Sequence, residues 1–311
     1  MRTEESPQAG ESDVQLTILL VNYNGLHYLA KCFDSIKRFA PPKTEVIMAD
    51  NASTDGSLEF VAREYPFVRI VRSSKNLGFA GGNNLAGKEA VGRFVLLLNT
   101  DTVLLEPIEP AIDWLAAHPG CSVLTINMVD GELVPQACTG RFPTPLRLIF
   151  LQNLLLPPAK QLANEHAYVD WVQGSFLLIR AEHWRELGGL DEDYFMYAED
   201  IDLCKRVHDA GWTCAYLPRL RYLHWGGHSS KRFPEQIKSL NIYINHHMGE
   251  IQKWASWTIL FIGCFARTIM YSLKALIKND EHCRTTSRSS WLAFVILLQR
   301  DLSLRTKGTI S

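Results

Sequence analysis

The chain has 311 residues, of which 47% are hydrophobic and 21% are charged, and its formal net charge is −1. These values are typical of a globular protein with one main domain, and they exclude a disordered or fibrous chain. The near-neutral charge gives no reason to expect a nucleic acid as partner. The first 13 residues are polar without an apolar core, which predicts a disordered tail and excludes a signal peptide. The seven cysteines form no CxxC pair and lie largely in apolar runs, which indicates buried reduced thiols and a cytoplasmic protein.

Strands alternate with helices through the first hundred residues. Strands are predicted at 16–21, 45–49, 68–71 and 94–99, and helices at 27–39, at 57–64 and up to about residue 91. The Gly- and Asn-rich segment 76–84 is expected to be a flexible loop before the last of these helices. The alternation predicts an α/β fold with a mostly parallel sheet and helices on both faces.

The second half of the chain is less regular. A helix at 108–117 and a strand at 121–126 precede a Pro- and Leu-rich variable loop region at 130–168. We then predict a strand-like stretch at 168–180, a helix at 181–187, an acidic loop at 191–200 and a helix to about 210. The predicted organisation is a tail at 1–13, a main domain at 14–230, a helical segment at 231–280, and a basic tail with a short apolar helix at 281–311.

The C-terminal part is basic and apolar. Residues 251–311 contain nine Lys or Arg against three acids, a balance of +6. An uncharged run at 254–266 ends at Arg267, and a second apolar run covers 291–298. The first run is shorter than the ~20 apolar residues that span a bilayer, so the pattern predicts amphipathic helices on an anionic membrane surface. The alternatives are a helix pair packed on the main domain or in a homodimer interface, and a tilted span.

Three common ligand-binding patterns fail in this sequence. Residues 82–88 have P-loop spacing, but Glu89 stands where a metal-binding Ser or Thr is needed, so an NTPase is excluded. Residues 78–82 do not fit the GxGxxG dinucleotide fingerprint. A calcium loop at 50–56 is excluded because Ala52 and Thr54 occupy ligand positions.

Polar residues follow the predicted strands at their carboxyl ends, where open α/β sheets bind ligands. The Asp50 carboxylate can accept the N3–H of uracil or thymine, and the alternative is a turn-forming Asp. Asp101 is a candidate ligand for Mg²⁺ or Mn²⁺, and the alternative is a helix cap. Asn76, Gly82 and Asn83 lie in a segment whose backbone can approach a ribose or diphosphate, although a plain loop explains them equally well.

Two acids and a histidine are the remaining candidates. Glu199 and Asp200 stand at a predicted helix start, where the dipole stabilises an acid by about 0.3–1 kcal/mol, but Asp202 already supplies that charge. A carboxyl in a partly apolar wall should have a raised proton affinity, which suits a general base. His224 ends a predicted strand before a Gly-rich turn and can complete an octahedral metal site, although a lone histidine is more often structural.

Six motifs, taken together and in this order, resemble family 2 glycosyltransferases, most closely the bacterial rhamnosyltransferase-like branch. They are VNYNG at 21–25, ADNASTDGS at 49–57, NLGFAGGNN at 76–84, LLLNTD at 96–101, GSFLLI at 174–179 and FMYAEDIDL at 195–203. The resemblance covers roughly residues 16–230. It implies a GT-A fold, which is Rossmann-like, and inverting transfer of a sugar from a nucleotide-sugar donor.

The resemblance also implies roles by position. Asp50 would read the base, and Asp101 would be the last acid of the metal-binding DxD motif, with Asn99 in place of its first acid. Metal would then be held mainly by Asp101 and the donor diphosphate. Asp200 would be the catalytic base, and His224 would also touch the metal. The implied set further contains Glu199 beside the base, Asn22, Asn51, Asn76, Gly82 and Asn83 on the donor side, and Trp171 and Gly174 on the acceptor side.

The resemblance implies a Mg²⁺ or Mn²⁺ cofactor, a dTDP- or UDP-sugar donor and a glycan or lipid-linked glycan acceptor. Rhamnose is the favoured sugar, and the expected location is the cytoplasmic face of a bacterial inner membrane, in cell-surface polysaccharide synthesis. Two alternatives are a catalytically silent nucleotide-sugar binder and a sugar nucleotidyltransferase. A silent binder should lack the acidic pair, and a nucleotidyltransferase needs a cationic loop after its first strand, where residues 22–25 carry no cation.

Overall fold

The structure is a computed structural model that describes residues 13–149, 165–226, 232–278 and 280–307. Most of the predicted N-terminal tail and part of the predicted variable loop lie outside the described residues. All seven cysteines are described, and each is buried and forms no disulfide, as the sequence predicts.

The first half of the chain alternates strands and helices, as predicted. Its elements are β1 (Leu16–Asn22), α1 (Leu26–Phe39), β2 (Thr44–Asn51), α2 (Ser57–Glu64), β3 (Val68–Ser73), α3 (Gly78–Gly87) and β4 (Phe94–Leu98). Strand bounds lie close to the predicted ones because each strand is an apolar run that ends at polar turn residues.

The Gly- and Asn-rich segment is a helix rather than the predicted flexible loop, because α3 already begins at Gly78. Glycine costs about 1 kcal/mol in a helix relative to alanine, but here close packing against the sheet outweighs that cost. A Cβ atom at Gly82 would lie 2.6 Å from Cγ1 of Val21 in β1, so only glycine fits at this distance. The glycines therefore allow a helix to approach the sheet.

The second half contains short strands followed by long helices. Its elements are β5 (Thr102–Leu104), α4 (Glu109–Ala117), β6 (Cys121–Val129), β7 (Thr139–Gly140), α5 (Pro145–Leu148), β8 (Ala167–Val169), β9 (Trp171–Val172), β10 (Phe176–Arg180), α6 (Ala181–Glu186), α7 (Glu199–Asp209), β11 (Thr213–His224), α8 (Phe233–His247), α9 (Glu250–Lys278) and α10 (Glu281–Lys307). The predicted strand-like stretch at 168–180 is divided among three strands. Instead of the short apolar helix predicted near the C-terminus, α10 is one continuous helix of 27 residues.

The central sheet is mostly parallel, which confirms the predicted fold class. Its strand order is β3-β2-β1-β4-β10-β6-β11-β5, and β8 pairs with β11. Strands β1 to β4 are parallel, β10 runs antiparallel between β4 and β6, and β5 is antiparallel to β11. Every residue of β4, β6 and β10 is buried, as expected for strands covered on both faces. The carboxyl ends of β1, β2 and β4 therefore meet at one edge.

The C-terminal helices share a second hydrophobic core with the loop before α7. Buried residues of α8, α9 and α10 pack in one cluster with Tyr194 and Ala198. A polar link crosses the same interface, since His247 Nε2 lies 2.6 Å from Asp202 Oδ1 and Arg206 Nε donates to Asp202 Oδ2 at 2.8 Å. Burial disfavours ionisation of Asp202, but the hydrogen bonds from His247 and Arg206 lower its pKa below the ordinary value. Helix α8 is thus fixed to α7.

One side of α9 is an exposed apolar stripe. By length and composition this helix could cross a membrane, and most of its apolar stretch is not buried by the rest of the chain. The exposed side chains recur at helical spacing on one face, and we call them the apolar stripe: Trp254, Ile262, Phe265, Ile269, Leu273 and Leu276. Arg267 does not interrupt this face, because it packs over the Phe233 ring at 4.8 Å and donates to Ser290 Oγ at 3.1 Å.

Candidate active site

The ends of β1 and β2 place two predicted donor-side residues together. Asn22 and Asp50 are register partners, and Asn22 Nδ2 lies 3.3 Å from Asp50 Oδ1. Ser53, which the sequence analysis missed, binds both, because its hydroxyl accepts from Asn22 Nδ2 at 2.9 Å and its N–H donates to Asp50 Oδ2 at 3.1 Å. Both Asn22 and Asp50 are buried, and Asn22 Oδ1 has no hydrogen-bond partner among the residues that the structure describes. An unpaired buried acceptor is costly, so this edge suits a ligand that brings an N–H.

Asn51 connects β2 to the start of α3. Its Nδ2 donates to Gly78 O at 2.8 Å and to Asn76 Oδ1 at 3.3 Å, and Asn76 Oδ1 also accepts from Gly78 N at 2.9 Å. Like Asn22, Asn51 leaves a buried carbonyl oxygen without a hydrogen-bond partner in the described part of the chain. Asn83 is also buried, but its Nδ2 is already bonded to Phe79 O at 2.9 Å inside α3. Asn51 and Asn76 therefore remain near the ligand edge, while the Asn83 amide is occupied within the helix.

The β5–β11 ladder brings the candidate metal ligands together. His224 pairs with Thr102 across the ladder, and Trp225 N donates to Asp101 O at 2.9 Å. As a result, His224 Nε2 lies 3.2 Å from Asp101 Oδ1 and 3.4 Å from Asn99 Nδ2. This contact joins residues 125 positions apart in sequence. Asn99, Asp101 and His224 thus form one cluster at the carboxyl end of β4.

Gly226 lies directly against this cluster and has no side chain that would fill it. A Cβ atom at Gly226 would lie 2.7 Å from His224 Nε2 and 3.1 Å from Asp101 Oδ2. Any side chain at this position would press on both polar groups. One carboxylate, one imidazole and one amide therefore lie beside a space that a side chain at position 226 would fill. These three groups are a donor set that fits a divalent cation.

The acid pair opens α7, and its two carboxyls have different surroundings. Asp200 Oδ2 accepts from Gly174 N at 2.9 Å, and Oδ1 accepts from Ile201 N at 2.8 Å. Burial raises the pKa of Asp200, and these two N–H groups partly offset that rise. Glu199 Oε2 is buried and has no hydrogen-bond partner within the described ranges, and burial followed by the Asp200 charge raises the pKa of Glu199 well above its ordinary value. Asp200 is therefore the acid better prepared to carry a charge.

A strained loop positions the acid pair, and sequence reasoning did not find it. Tyr197 and Ala198 have φ of 71° and 63°, which is the left-handed region that non-glycine residues rarely adopt. The loop is held to α3, because Phe79 N donates to Phe195 O at 2.8 Å. The approach is close, since a Cβ atom at Gly78 would lie 2.1 Å from Phe195 O. The only sequence signal for this contact was the glycine at the start of α3.

The two predicted acceptor-side residues differ in position. Gly174 contacts the site directly, because its N–H donates to Asp200 Oδ2 at 2.9 Å, and the carbonyl oxygen of the next residue, Ser175, accepts from Asn99 N at 3.2 Å. Trp171 is buried, and its indole Nε1 donates to Arg141 O at 3.0 Å. The Trp171 ring thus packs in the hydrophobic core, and its acceptor-side role stays a prediction.

A second group that could hold a metal lies on the surface beside the acidic loop. His246 Nδ1 lies 3.3 Å from Asp191 Oδ2, and His246 Nε2 lies 3.6 Å from Asp193 Oδ2. One ligand atom from each residue falls within 4.8 Å of the others. The sequence could not indicate this group, because α8 brings His246 back to a loop more than 50 residues earlier.

Comparisons with known proteins agree with this arrangement. The family model Glycosyl transferase family 2 matches residues 17–164, and Glycosyl transferase family group 2 matches residues 94–306. The chain is 30% identical over 273 residues to the N-acetylglucosaminyl-diphospho-decaprenol L-rhamnosyltransferase of Mycobacterium tuberculosis, covering 78% of this chain and 89% of that protein. It is 43% identical over 229 residues to the rhamnosyltransferase WbbL of Escherichia coli strain K12, covering 70% of this chain and 85% of that protein.

A solved structure with the same fold is the mannosyltransferase of Pyrobaculum calidifontis in complex with GDP-Man and Mn²⁺. It superposes with a TM-score of 0.58 at 17% identity and covers 92% of this chain and 86% of its own. At this identity the similarity shows a shared fold, and the predicted GT-A architecture is confirmed.

Proposed function

Because this chain belongs to the glycosyl transferase family 2, we propose that it transfers rhamnose from dTDP-rhamnose to a hydroxyl of a lipid-linked glycan, with inversion at the anomeric carbon. Two relatives named as rhamnosyltransferases support the choice of sugar, and the name of one specifies a prenyl-diphosphate-linked N-acetylglucosamine as acceptor. A UDP-sugar is the second candidate donor. Neither the silent binder nor the nucleotidyltransferase is favoured by these relatives.

The observation that carries the proposed chemistry is the Asp200 carboxylate. The backbone N–H groups of Gly174 and Ile201 hold this carboxylate. Ser175, which follows Gly174, accepts a hydrogen bond from Asn99 N and so connects the acid to the proposed metal ligands. In the proposed reaction the acceptor oxygen bonds to the anomeric carbon while the bond from that carbon to the diphosphate oxygen breaks. Asp200 takes the proton of the acceptor hydroxyl, which is the role of the base in other inverting enzymes of carbohydrate chemistry.

The donor nucleotide is proposed to bind at the ends of β1 and β2. Thymine and uracil each present one N3–H donor between two carbonyl acceptors. The Asp50 carboxylate can accept the N3–H, and the unpaired carbonyl oxygens of Asn22 and Asn51 can accept further N–H or hydroxyl groups of the nucleoside. Binding would thereby satisfy buried acceptors that the protein leaves unpaired.

A divalent metal is proposed to be held by Asp101 and His224, with Asn99 beside them. The mixed oxygen and nitrogen ligand set favours Mn²⁺ over Mg²⁺, because Mg²⁺ prefers oxygen ligands alone. When bound, such an ion neutralises charge on the departing nucleoside diphosphate. Asn99, Asp101 and His224 would place the ion, and with it the diphosphate end of the donor, at the carboxyl edge of β4, with β1 between it and the proposed base-binding end at β2.

Metal-dependent donor binding should identify the ligands. Asp101→Ala should weaken binding of dTDP in the presence of Mn²⁺ by more than the roughly 10–100-fold that loss of an outer-shell partner costs, and His224→Ala should weaken it less. Calorimetric titration of dTDP with and without Mn²⁺ measures both effects. Asp193→Ala, which alters only the surface group near His246, is the matched control and should bind like the parent. Full transfer activity in excess chelator would contradict the assignment of both residues.

A donor screen tests the function itself. We expect purified full-length protein to be stabilised against heat by dTDP-rhamnose more than by UDP- or GDP-sugars, and to release dTDP when an acceptor is added. Mass spectrometry of a short-chain prenyl-diphosphate N-acetylglucosamine acceptor should show the added rhamnose. Stabilisation by a UDP-sugar alone, with no rhamnose transferred, would replace the proposed donor.

We propose that α9 attaches the protein to the cytoplasmic face of the inner membrane. The apolar stripe offers lipid-facing side chains along one side of the helix, and its other side packs on α8 and α10. The neighbouring helix α10 carries arginines, and an arginine at the centre of a bilayer costs about 2.5–3.5 kcal/mol on insertion scales. An orientation along the membrane surface avoids that cost.

A further inference from the structure

A cavity of about 440 Å³ lies between α9 and α10, away from the candidate active site. It is lined by Ser272, Ala275 and Leu276 of α9 and by Arg284, Ser287 and Arg288 of α10. We propose that this cavity binds the phosphate group of an anionic phospholipid. The inference rests on the proposed membrane docking and adds to it a defined lipid-binding site.

The lining is suited to a phosphate. Arg284 and Arg288 are one helical turn apart, so their guanidinium groups lie on the same face of α10. Each guanidinium has five N–H donors in a planar fork that matches phosphate oxygens. The hydroxyls of Ser272 and Ser287 lie 2.7 Å apart and bond to each other, and Ser287 Oγ also donates to Thr268 O at 3.2 Å, so they add polar lining while the arginines supply the donors. None of the six lining residues is a carboxylate, so nothing in the lining repels an anion.

One carboxylate that contacts Arg284 competes only weakly with a phosphate. Arg284 Nη1 lies 3.6 Å from Glu281 Oε2, and the Glu281 side chain is 71% exposed. Ion pairs of this length on an open surface contribute little. A phosphate that accepts short, charge-assisted hydrogen bonds from both arginines would therefore be preferred over this contact.

The position of the cavity selects a lipid rather than a free anion. Leu276 belongs both to the cavity lining and to the apolar stripe, so the phosphate site opens directly beside lipid-facing side chains. The apolar surface continues onto α10 after Arg288, where Trp291 and Leu292 are exposed. The Phe294 ring joins the two helices, with its centroid 5.5 Å from Phe265 and 5.3 Å from Trp291.

This arrangement matches the two parts of a phospholipid. Basic groups that attract a headgroup stand beside a continuous apolar surface that accepts acyl chains. Arg267, on the packed side of α9, is turned towards Phe233 and Ser290 and away from the apolar stripe. Headgroup recognition therefore falls to Arg284 and Arg288.

The test uses the full chain and co-sedimentation with vesicles. We expect binding to vesicles of phosphatidylcholine mixed with phosphatidylglycerol and little binding to phosphatidylcholine alone. Arg284→Gln combined with Arg288→Gln should weaken binding to the anionic vesicles by about 30-fold, which corresponds to roughly 1 kcal/mol per basic residue near an anionic surface. Rhamnose transfer to a short-chain, water-soluble acceptor should stay at the parental rate, which separates lipid binding from the proposed function.

Two further variants separate a phosphate site from general charge attraction. Lys238→Gln combined with Lys274→Gln also removes two positive charges, but from positions outside the cavity. This variant should retain most of the vesicle binding. Arg284→Lys combined with Arg288→Lys keeps the charge but loses the planar fork, and it should bind anionic vesicles more weakly than the parent. The proposed site would be overturned if the Lys→Gln and Arg→Gln double variants lost the same amount of vesicle binding. It would also be overturned if the Arg→Lys double variant bound vesicles like the parent, because only charge would then matter.

Other outcomes also decide the proposal. Equal binding to neutral and anionic vesicles overturns it, and so does a full chain that remains in solution as a dimer when vesicles are present. If inorganic phosphate stabilises the parent but not the Arg→Gln variant against heat, while both bind vesicles equally, the cavity is a site for free phosphate and the lipid assignment is wrong. If the parent protein transferred no rhamnose to the soluble acceptor, that result would instead contradict the proposed function.

Discussion

Asp200→Asn should lower the rate of sugar transfer by about 10²–10⁴-fold, the usual loss when a general base is removed. Asparagine has nearly the same volume and keeps one carbonyl oxygen for the backbone N–H groups of Gly174 and Ile201. Loss of one of these hydrogen bonds costs about 1 kcal/mol, so the variant should fold and bind donor. Initial rates with saturating donor and acceptor measure the effect, and calorimetry with dTDP verifies binding.

Glu199→Gln is the matched control for this prediction. Burial and the Asp200 charge raise the pKa of Glu199 well above its ordinary value, which favours the neutral carboxyl, and glutamine resembles that form in charge and shape. This variant should lose much less activity than Asp200→Asn. The parental rate should also fall as the pH drops through the raised pKa of Asp200, because a base must be ionised to accept a proton. Parental activity in Asp200→Asn together with a large loss in Glu199→Gln would assign the base to Glu199.

Gly78→Ala should destabilise the protein and reduce transfer at the same time. Its Cβ atom would lie 2.1 Å from Phe195 O, and its φ of +74° is strained for alanine. Left-handed strain costs about 1–2 kcal/mol and forced displacement in a packed region typically another 1–3 kcal/mol, so a loss of about 2–5 kcal/mol is expected. The displaced loop leads into Glu199 and Asp200, so the acid pair should move with it. Urea unfolding and steady-state rates measure the two effects.

Gly211→Ala separates strain from steric contact. Gly211 has a φ of +87°, but nothing lies within 4 Å of the position that its Cβ atom would occupy. This variant should lose only the strain energy and keep parental transfer. If Gly78→Ala were as stable and as active as Gly211→Ala, the contact between α3 and the loop at Phe195 would not position the acid pair.

Local sequence patterns predicted the sheet and the ends of its strands. Asp50 lies at the carboxyl end of a strand and Asp101 follows one because apolar runs end at polar turn residues, and His224 closes β11 as expected. The same patterns failed at α3, where glycines predicted a loop. Intrinsic propensity there is outweighed by packing against Val21, which is tertiary information that a local window does not contain.

Contacts between distant segments were not predictable for the same reason. The meeting of Asp191, Asp193 and His246 depends on how α8 returns to the main sheet, and no periodicity in either segment reports that path. Arg267 interrupted an apolar run in the sequence, yet in the structure it lies on the packed side of α9. The sequence alone cannot tell whether an arginine lies on the exposed side or on the packed side of a helix, because that depends on which face the rest of the protein covers.

The link between His247 and Asp202 affects how the chain can be divided. Asp202 is buried, and its two oxygens are shared between Arg206 of its own helix and His247 of α8. A protein that ended at the predicted domain boundary near residue 230 would lose His247 and expose the core around Tyr194 and Ala198. A shortened enzyme should therefore be cut after α8, at Gly249, so that α8 and its link to Asp202 are retained, although this cut still uncovers the side of α8 that packs on α9 and α10.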